Sequence, residues 1–417
     1  MNKKVIIGID GVPFDLIDEM SSQGIMPNFQ KLKNTGVFTK MRSAIPEISS
    51  VAWSSIITGK NPAEHGIYGF TELKENSYDL GFPNFSNLKS PAFWHQNSDK
   101  RHVIINVPST FPVQSMNGVH ISGFVSLDLE SSVYPRELLP KLEEFDYRVD
   151  VDSGLGHESM DLFLEDLVKT NEARIKTYQY LWENESWDVF MLVFTGSDRI
   201  EHFLMDAYLD KNHKYHNNFL DYFRRVDEVI GEIADRLDES DGLIILSDHG
   251  MEEIRTNFFV NKFLEEKGYL TLDPTKQGYN KIEVGTKAFA LDPGRIHINS
   301  KEKYPSGGEF DKNLLLSELK ELFLNAEFEG EKIIRFAFEK HEIYEGPLID
   351  NAADLILVPN KGFRLRGTIE AENVFGGDVF SGDHSLDDAF LFVKSKNINI
   401  VPEKPTVEDV VLIINNL

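Results

Sequence analysis

Seven short, continuous apolar runs are the feature that most constrains how this chain can fold. Each run has the length of a buried strand and is bounded by polar or helix-like sequence. The runs are Val5–Ile9, His102–Val107, Val119–Ser122, Val189–Phe194, Leu243–Leu246, Asp354–Val358 and Ala389–Val393. Such runs, separated by helical stretches, are typical of a mostly parallel sheet with helices on both faces. We therefore predict an α/β fold.

Helical periodicity between these runs supports the same fold class. Met160–Trp182 and Asn217–Leu237 both carry apolar residues at helical spacing. The stripe of the second stretch consists of Leu220, Phe223, Val226, Ile230, Ile233 and Leu237. The region from 252 to 375 is less regular, with Gly and Pro clusters and one helix near Leu314–Leu324. We predict a catalytic core at 1–251 and 376–417, with a smaller inserted subdomain at 252–375.

The charge of the chain limits its partners. Lys and Arg number 43 and Asp and Glu 68, which gives a net charge of -25. This charge repels nucleic acid polymers and anionic membranes, so a phosphate ester substrate would need bound cations to offset it. No run approaches the ~20 apolar residues of a membrane span, and the N-terminal run is too short for a signal peptide. We predict a cytoplasmic protein without a membrane or nucleic-acid partner, and its oligomeric state stays open.

Aspartates follow three of the predicted strands directly. Asp10, Asp198 and Asp248 each lie just beyond an apolar run, and His249 comes next to the third. The carboxyl ends of parallel strands share one edge of a sheet, where α/β enzymes bind ligands. A single Asp after a strand is more often a turn former or a helix N-cap. Three of them with an adjacent His favour a common site instead.

Two further histidines extend this set. His202 lies four residues after Asp198, which places both side chains on one face of a helix. His384 lies in a Gly-rich turn just before the last apolar run. A lone histidine is more often structural. Carboxylate and imidazole ligands together suit zinc, manganese or iron, and the absence of cysteine excludes thiolate ligands.

A candidate nucleophile precedes a short helical pattern. Ser49 and Ser50 come just before a stretch that is helical through Ile57. A helix N-terminus favours anions and would stabilise an alkoxide or bind a phosphate. The alternative is a plain serine N-cap, and spacing alone does not distinguish Ser49 from Ser50.

Taken in chain order, these motifs resemble the alkaline phosphatase superfamily, in particular its type I phosphodiesterase/nucleotide pyrophosphatase-like branch. The resemblance spans nearly the whole chain. It is carried by Gly8-Ile9-Asp10-Gly11, the block from Ser49 to Ile67 that contains Thr58-Gly59 and His65-Gly66-Ile67, Asp198 with His202, Ser247-Asp248-His249-Gly250-Met251, and Gly382-Asp383-His384. Gly294–Asn299 is also similar to predicted phosphohydrolase/phosphomutase members.

The resemblance implies two divalent metal ions, zinc or manganese, and a serine nucleophile. The first ligand set is Asp198, His202 and His384, and the second is Asp10, Asp248, His249 and the Ser49 oxygen. Ser49 matches the family's nucleophile, and Ser50 falls one residue past it. His65 belongs to the family's Pro-…-His-Gly-Ile block and is expected to be structural. Many relatives have an aromatic residue or proline after the nucleophile, so Ser50 leaves the shape of the substrate open.

The implied function is that of a metal-dependent phosphodiesterase or nucleotide pyrophosphatase. It would act on a small phosphate ester or nucleotide through a phosphoseryl intermediate on Ser49. The alternatives are a phosphomutase of the cofactor-independent phosphoglycerate mutase type and a catalytically silent metal-binding domain. Bacterial mutases of that type contain a large domain inserted soon after the nucleophile. The stretch from Ser49 to Asp198 is short and has mostly the pattern of sheet and helix, which disfavours such a mutase. A monoesterase usually needs one more cation, which Arg199 or Lys60 could supply.

A sulfatase is disfavoured by the residues after Ser49. Sulfatases need a Cys or Ser that is converted to formylglycine within a Cys/Ser-x-Pro-x-Arg pattern. Val51 and Trp53 occupy the Pro and Arg positions, and the chain has no cysteine.

Overall fold

A computed structural model describes residues 2–396 and 400–417. The chain forms two compact units. Unit 1 contains the chain up to Lys60, Asn84–Glu252 and the part from Val379 onward, and unit 2 contains Asn61–Pro83 and Glu253–Asp378. The grouping of Asn61–Pro83 with the later region was not anticipated from the sequence. The inserted subdomain at 252–375 stays a prediction.

The helices and strands of the described residues have the following bounds. The strands are β1 Lys4–Ile9, β2 Val37–Met41, β3 Glu72–Leu73, β4 Leu80–Gly81, β5 His102–Val107, β6 Gly118–Ser122, β7 Val133–Tyr134, β8 Val189–Phe194, β9 Gly242–Leu246, β10 Gly250–Glu253, β11 Thr256–Phe259, β12 Ala288–Leu291, β13 Arg295–Ile298, β14 Glu327–Phe328, β15 Glu331–Lys332, β16 Ile334–Glu339, β17 Leu355–Pro359, β18 Phe363–Arg366, β19 Phe375–Gly376, β20 Gly382–Ser385 and β21 Ala389–Lys394. The helices are α1 Phe14–Ser22, α2 Pro27–Lys33, α3 Ser49–Thr58, α4 Pro62–His65, α5 Phe93–Gln96, α6 Leu139–Glu144, α7 Gly154–Glu158, α8 Met160–Asn184, α9 Gly196–Leu209, α10 His216–Asp235, α11 Val260–Glu266, α12 Lys312–Leu324, α13 Lys340–Ile343 and α14 Val410–Asn416.

The central sheet of unit 1 is mostly parallel, which confirms the predicted α/β class. Its strand order is β2-β21-β9-β1-β8-β5-β6-β7. The inner strands β9, β1, β8, β5 and β6 pair in parallel. The outer strands β2, β21 and β7 pair antiparallel to their neighbours. The parallel strands place their carboxyl ends along one edge.

Successive side chains of β1 point to opposite faces of this sheet, and helices pack on both faces. Val5, Ile7 and Ile9 are fully buried in a core that also contains the apolar faces of α1, α2, α8, α9 and α10. Gly8 points to the opposite face, where the Trp53 ring of α3 lies against it. The helix that begins with Ser49 therefore lies directly on β1.

Three strand-related predictions need correction. The run at Asp354–Val358 forms β17, which belongs to the antiparallel sheet β12-β13-β17-β16 of unit 2 and not to the parallel sheet. The run at Ala389–Val393 forms β21, which is antiparallel to β9. His384 lies in the short strand β20 and not in a turn. A continuous apolar run indicates burial on both faces, but it carries no information on strand direction or sheet membership.

The predicted helices agree with the structure within a few residues. α8 and α10 cover the stretches predicted at Met160–Trp182 and Asn217–Leu237, and α12 covers Leu314–Leu324. Leu237 lies just beyond the end of α10 and is partly buried against the core. Among the described residues, every helix is too short or too polar to cross a membrane.

A buried histidine of β6 should make the stability of the fold sensitive to acid. His120 is fully buried, with ring centroids of Trp94 at 5.4 Å and Phe85 at 5.8 Å. Burial lowers its pKa to about 3, against 6.5 in the unfolded chain. The stability from this neutral ring is present above pH 6.5 and is lost as the pH falls from 6.5 toward 3. By pH 5 the loss reaches about 2 kcal/mol.

We expect His120→Phe to reduce, by about that amount, the difference in free energy of unfolding between pH 7 and pH 5. Urea unfolding at the two pH values measures this difference. His157→Phe, a change at an exposed histidine of the same unit, is the control and should leave the difference unchanged. An unaltered pH dependence in the His120 variant would contradict the assignment.

Candidate active site

Seven side chains predicted for the site lie together at one edge of the unit 1 sheet. They are Asp10, Ser49, Asp198, His202, Asp248, His249 and His384. The strand register explains the convergence, since Ile9 of β1 lies opposite Phe194 of β8, and Gly8 lies opposite Leu246 of β9. The residues that follow these three strands must therefore meet at the same edge.

Asp198, His202 and His384 form the first cluster. Asp198 and His202 are one turn apart near the start of α9, and His384 comes from β20. The Oδ1 atom of Asp198 lies 3.3 Å from Nε2 of His202 and 3.2 Å from Nε2 of His384. The two Nε2 atoms are 3.0 Å apart. Three ligand atoms thus surround a space that one ion could fill.

The tautomers of the three histidines follow from their backbone partners. Nδ1 of His202 contacts the Gly382 carbonyl at 2.7 Å, Nδ1 of His384 contacts the Glu47 carbonyl at 2.8 Å, and Nδ1 of His249 contacts the Gly250 carbonyl at 3.0 Å. A carbonyl can only accept, so each Nδ1 carries the proton and donates. Each neutral ring then presents an Nε2 lone pair to the site.

Facing lone pairs are a strong indication of a cation site. At 3.0 Å, the Nε2 atoms of His202 and His384 repel each other unless a cation lies between them. Histidine metal ligands commonly donate their other ring N–H to a carbonyl or carboxylate, which fixes the ring orientation. The donor set and its orientation therefore fit a divalent metal ion.

The second cluster contains Asp10, Asp248, His249 and Ser49. Nε2 of His249 lies 3.3 Å from Oδ2 of Asp248 and 3.7 Å from Oδ1 of Asp10. The Ser49 Oγ atom is 3.1 Å from Nε2 of His249 and 3.4 Å from Oδ1 of Asp10. Asp198 Oδ1 is 4.0 Å from Nε2 of His249, so this carboxylate borders both clusters.

Each of the three carboxylates has one oxygen held by a donor outside these clusters. Trp53 Nε1 donates to Oδ2 of Asp10 at 2.8 Å, and the backbone N–H of Gly11 donates to Oδ1 of Asp248 at 3.1 Å. Arg199 Nη1 donates to Oδ2 of Asp198 at 2.9 Å. The other oxygen of each carboxylate is left to face the clusters.

Burial and charge at the site show an excess of negative charge. Burial, together with Asp248 and Asp198, raises the pKa of Asp10 well above its ordinary value. Burial raises the pKa of Asp248 to about 7. Burial opposes the ionisation of Asp198, but the Arg199 guanidinium beside its Oδ2 atom lowers the pKa of this carboxyl. Two divalent cations would compensate these carboxylates and would suit the neutral histidines.

The structure separates the two candidate serines. Ser49 is the first residue of α3, and its Oγ faces Asp10 and His249. The Oγ of Ser50 is buried and has no hydrogen-bond partner among the described residues. Only Ser49 is thus placed to act together with the metal-ligand candidates.

Two residues singled out in the sequence have other roles. Arg199 is paired with both Asp150, at 2.8 Å, and Asp198, at 2.9 Å, so its charge is already neutralised. His65 is fully buried, and its Nδ1 accepts the backbone N–H of Ile67 at 3.1 Å. The geometry of His65 agrees with the structural role expected for it.

Sequence reasoning missed the donors Trp53 and Gly11 and the acid Asp150. The sequence feature that could have indicated Trp53 is its spacing, because it lies one helical turn after Ser49 in the same helix. No local pattern indicates Asp150, which lies in the loop before α7.

Comparisons with known structures agree with this fold. The structure of phosphonoacetate hydrolase from Sinorhizobium meliloti 1021 in complex with phosphonoacetate is similar, with a TM-score of 0.65, 15% identity, and coverage of 100% of this chain and 95% of that chain. Murine ectonucleotide pyrophosphatase/phosphodiesterase 5 has a TM-score of 0.60 and 13% identity, with coverage of 99% and 94%. At these identities the likeness shows the fold alone. No curated protein sequence matches the chain.

The family comparison shows family membership as well as fold. The model for type I phosphodiesterase / nucleotide pyrophosphatase matches residues 4–387, which include every residue of both clusters. Together with the fold, this match confirms the resemblance seen in the sequence motifs. The chain therefore belongs to the type I phosphodiesterase / nucleotide pyrophosphatase family.

Proposed function

We propose that this protein is a two-metal hydrolase of phosphate esters, with phosphodiesterase or nucleotide pyrophosphatase activity and with Ser49 as its nucleophile. The observation that carries the proposal is the convergence of histidine Nε2 lone pairs and carboxylate oxygens around the Ser49 hydroxyl. Membership of the family supports a hydrolase of phosphate esters.

The two clusters would each hold one divalent ion. Imidazole and carboxylate donors suit zinc, and manganese is the alternative. When bound, such ions stabilise charge on phosphoryl oxygens and lower the pKa of attached hydroxyl groups. The fixed Nδ1–H donations to Glu47, Gly382 and Gly250 keep the histidines in the required orientation without further rearrangement.

Ser49 supplies the bond-forming atom. Its Oγ loses its proton and attacks phosphorus in line, and the bond from phosphorus to the leaving ester oxygen breaks. That oxygen takes the bonding electron pair and a proton and leaves as the alcohol, so that the phosphoryl group remains on Ser49 as a phosphoseryl intermediate. Water then attacks the same phosphorus and releases Ser49. The N-terminus of α3 contributes a favourable field for the anionic substrate, since Ser49 lies in its first turn.

A diester is favoured over a monoester because of Arg199. A monoester carries a second charge, which usually calls for an additional cation. Of the two candidates for that cation, Arg199 is neutralised by Asp150 and Asp198. The other, Lys60, is exposed and lies just beyond the end of α3 opposite to Ser49. Solved neighbours include a nucleotide pyrophosphatase/phosphodiesterase bound to AMP and a phosphonoacetate hydrolase bound to phosphonoacetate. These bound molecules support a small-molecule substrate, and a cytoplasmic location stays a prediction.

The mutase alternative is less well supported. A large domain between the nucleophile and Asp198 would be expected in the bacterial mutases. Here only Asn61–Pro83 leaves unit 1 within that stretch, and residues from Asn84 onward return to it. A silent metal-binding domain is disfavoured because Ser49 lies among the ligand candidates.

Hydrolysis of bis-p-nitrophenyl phosphate beside p-nitrophenyl phosphate tests the proposed function. We expect faster cleavage of the diester with added zinc or manganese and loss of both activities with a chelator. Comparing the two metals after chelation shows which one restores turnover. Faster monoester cleavage would contradict the diesterase assignment, and silence on both substrates with every metal would favour the mutase or the silent domain.

A further inference from the structure

Trp53 joins the helix that carries the nucleophile to the strand that carries a metal-ligand candidate. It lies one turn after Ser49 in α3 and is fully buried. Its Nε1–H donates to Oδ2 of Asp10 at 2.8 Å. Its ring lies against Gly8, where an added Cβ would be 2.5 Å from ring carbon Cη2. The same side chain therefore contacts Gly8 of β1 and Asp10 just after the end of this strand.

These two contacts determine which way the Asp10 carboxylate faces. With Oδ2 bound to Trp53, Oδ1 is left 3.4 Å from the Ser49 Oγ and 3.7 Å from Nε2 of His249. The Trp53 ring also lies at the contact between α3 and β1, because it fills the space that a side chain at position 8 would need. The distance between nucleophile and ligand thus depends on Trp53.

We propose that Trp53 is a positioning residue that orients Asp10 as a single-oxygen ligand beside Ser49. This inference rests on the proposed function, since it concerns the metal site that contains Asp10. Trp53 touches neither the ion nor the substrate and acts through Asp10. Loss of such an outer partner typically weakens metal binding by about 10–100-fold.

The chain offers a matched control for removal of the indole N–H. Trp94 is also a buried tryptophan of unit 1, 1% exposed, and its Nε1 has no hydrogen-bond partner among the described residues. Trp53→Phe and Trp94→Phe remove the same atoms from two buried sites. Only the first removes a hydrogen bond to a ligand candidate.

Calorimetric titration of chelator-treated full-length protein with zinc chloride alone tests the proposal. We expect two binding steps in the unaltered protein and in Trp94→Phe. In Trp53→Phe, one step should weaken by about 10–100-fold while the other, at Asp198, His202 and His384, keeps its affinity. If Trp53 only stabilised the fold, Trp53→Phe would weaken both zinc-binding steps alike, and this result would overturn the proposal. Unaltered affinity of both steps would overturn it as well. If the unaltered protein bound neither zinc nor, in the same titration, manganese, the proposed function would be overturned as well.

A second variant, Gly8→Ala, tests the same proposal if Trp53→Phe fails to fold. Gly8→Ala retains Trp53 and its N–H but displaces the indole ring, since the new methyl group would lie 2.5 Å from Cη2. We expect Gly8→Ala to weaken the same zinc step. In both variants kcat for bis-p-nitrophenyl phosphate should fall about 10-fold or more, with KM nearly unchanged, because substrate contacts remain. An unaltered zinc step in Gly8→Ala would contradict the positioning role.

Discussion

Ser49→Ala should reduce hydrolysis of bis-p-nitrophenyl phosphate by about 10³-fold or more, because the variant lacks the oxygen that attacks phosphorus. Metal binding should persist, since Asp10, Asp248 and His249 remain and the first cluster does not involve Ser49. Steady-state kinetics and zinc titration of the same preparation measure the two effects separately.

Ser50→Ala is the matched control for this experiment. Ser50 is the next residue of the same helix and is also buried, and its Oγ has no partner among the described residues. We expect its activity to stay within a few-fold of the unaltered protein. Substantial turnover in Ser49→Ala, or a larger loss in Ser50→Ala, would contradict the assignment of the nucleophile.

Asp198→Asn should abolish activity by another route, through loss of metal. Asp198 borders both clusters, and its Oδ1 lies 3.2 Å and 3.3 Å from two histidine Nε2 atoms. An amide carries no charge to offset a cation, so the loss of affinity should exceed the about 10–100-fold that an outer partner contributes. A metal present at about 100 times its Kd stabilises a protein by about 2.7 kcal/mol, and this stabilisation should disappear.

Thermal unfolding with and without zinc, together with metal titration, measures the effect of Asp198→Asn. Asp206→Asn is the control, because Asp206 lies on the same helix α9 but is exposed. The control should bind zinc and be stabilised by it as before. Full zinc stabilisation in Asp198→Asn would show that the metal lies elsewhere.

Much of the candidate site could be predicted from local sequence because strand ends define it. Asp10, Asp198 and Asp248 each follow a buried strand, and parallel pairing brings the three strand ends together. The spacing of Asp198 and His202 likewise indicated a shared helical face, and both lie on α9. Such inferences need only the residue period of a helix and the relative direction of neighbouring strands.

The contacts that orient these ligands could not be predicted because they join distant parts of the chain. The Glu47 carbonyl accepts from His384, and the Asp10 carboxylate accepts from Trp53. These partners are set by how α3 and β20 approach the sheet, which no local pattern encodes. The same limit explains the misplaced run at Asp354–Val358, whose apolar character is shared by parallel and antiparallel strands.

The choice between Ser49 and Ser50 illustrates the limit at a single residue. Both serines lie at the start of the same helix, so the preference for serine at a helix N-terminus does not distinguish them. Successive helical side chains point about 100° apart, and only one of the two can face the sheet edge. The resemblance to the family selected Ser49, and the orientation of its Oγ agrees with that selection.

The most direct test of the account is to trap the covalent intermediate. Protein loaded with zinc or manganese is mixed with bis-p-nitrophenyl phosphate, quenched with acid within the first turnovers, digested and analysed by mass spectrometry. The account predicts a p-nitrophenylphosphoryl group on the peptide containing Ser49, at that residue, and its absence when chelator is present. Continued turnover without an adduct, or an adduct on another residue, would contradict it.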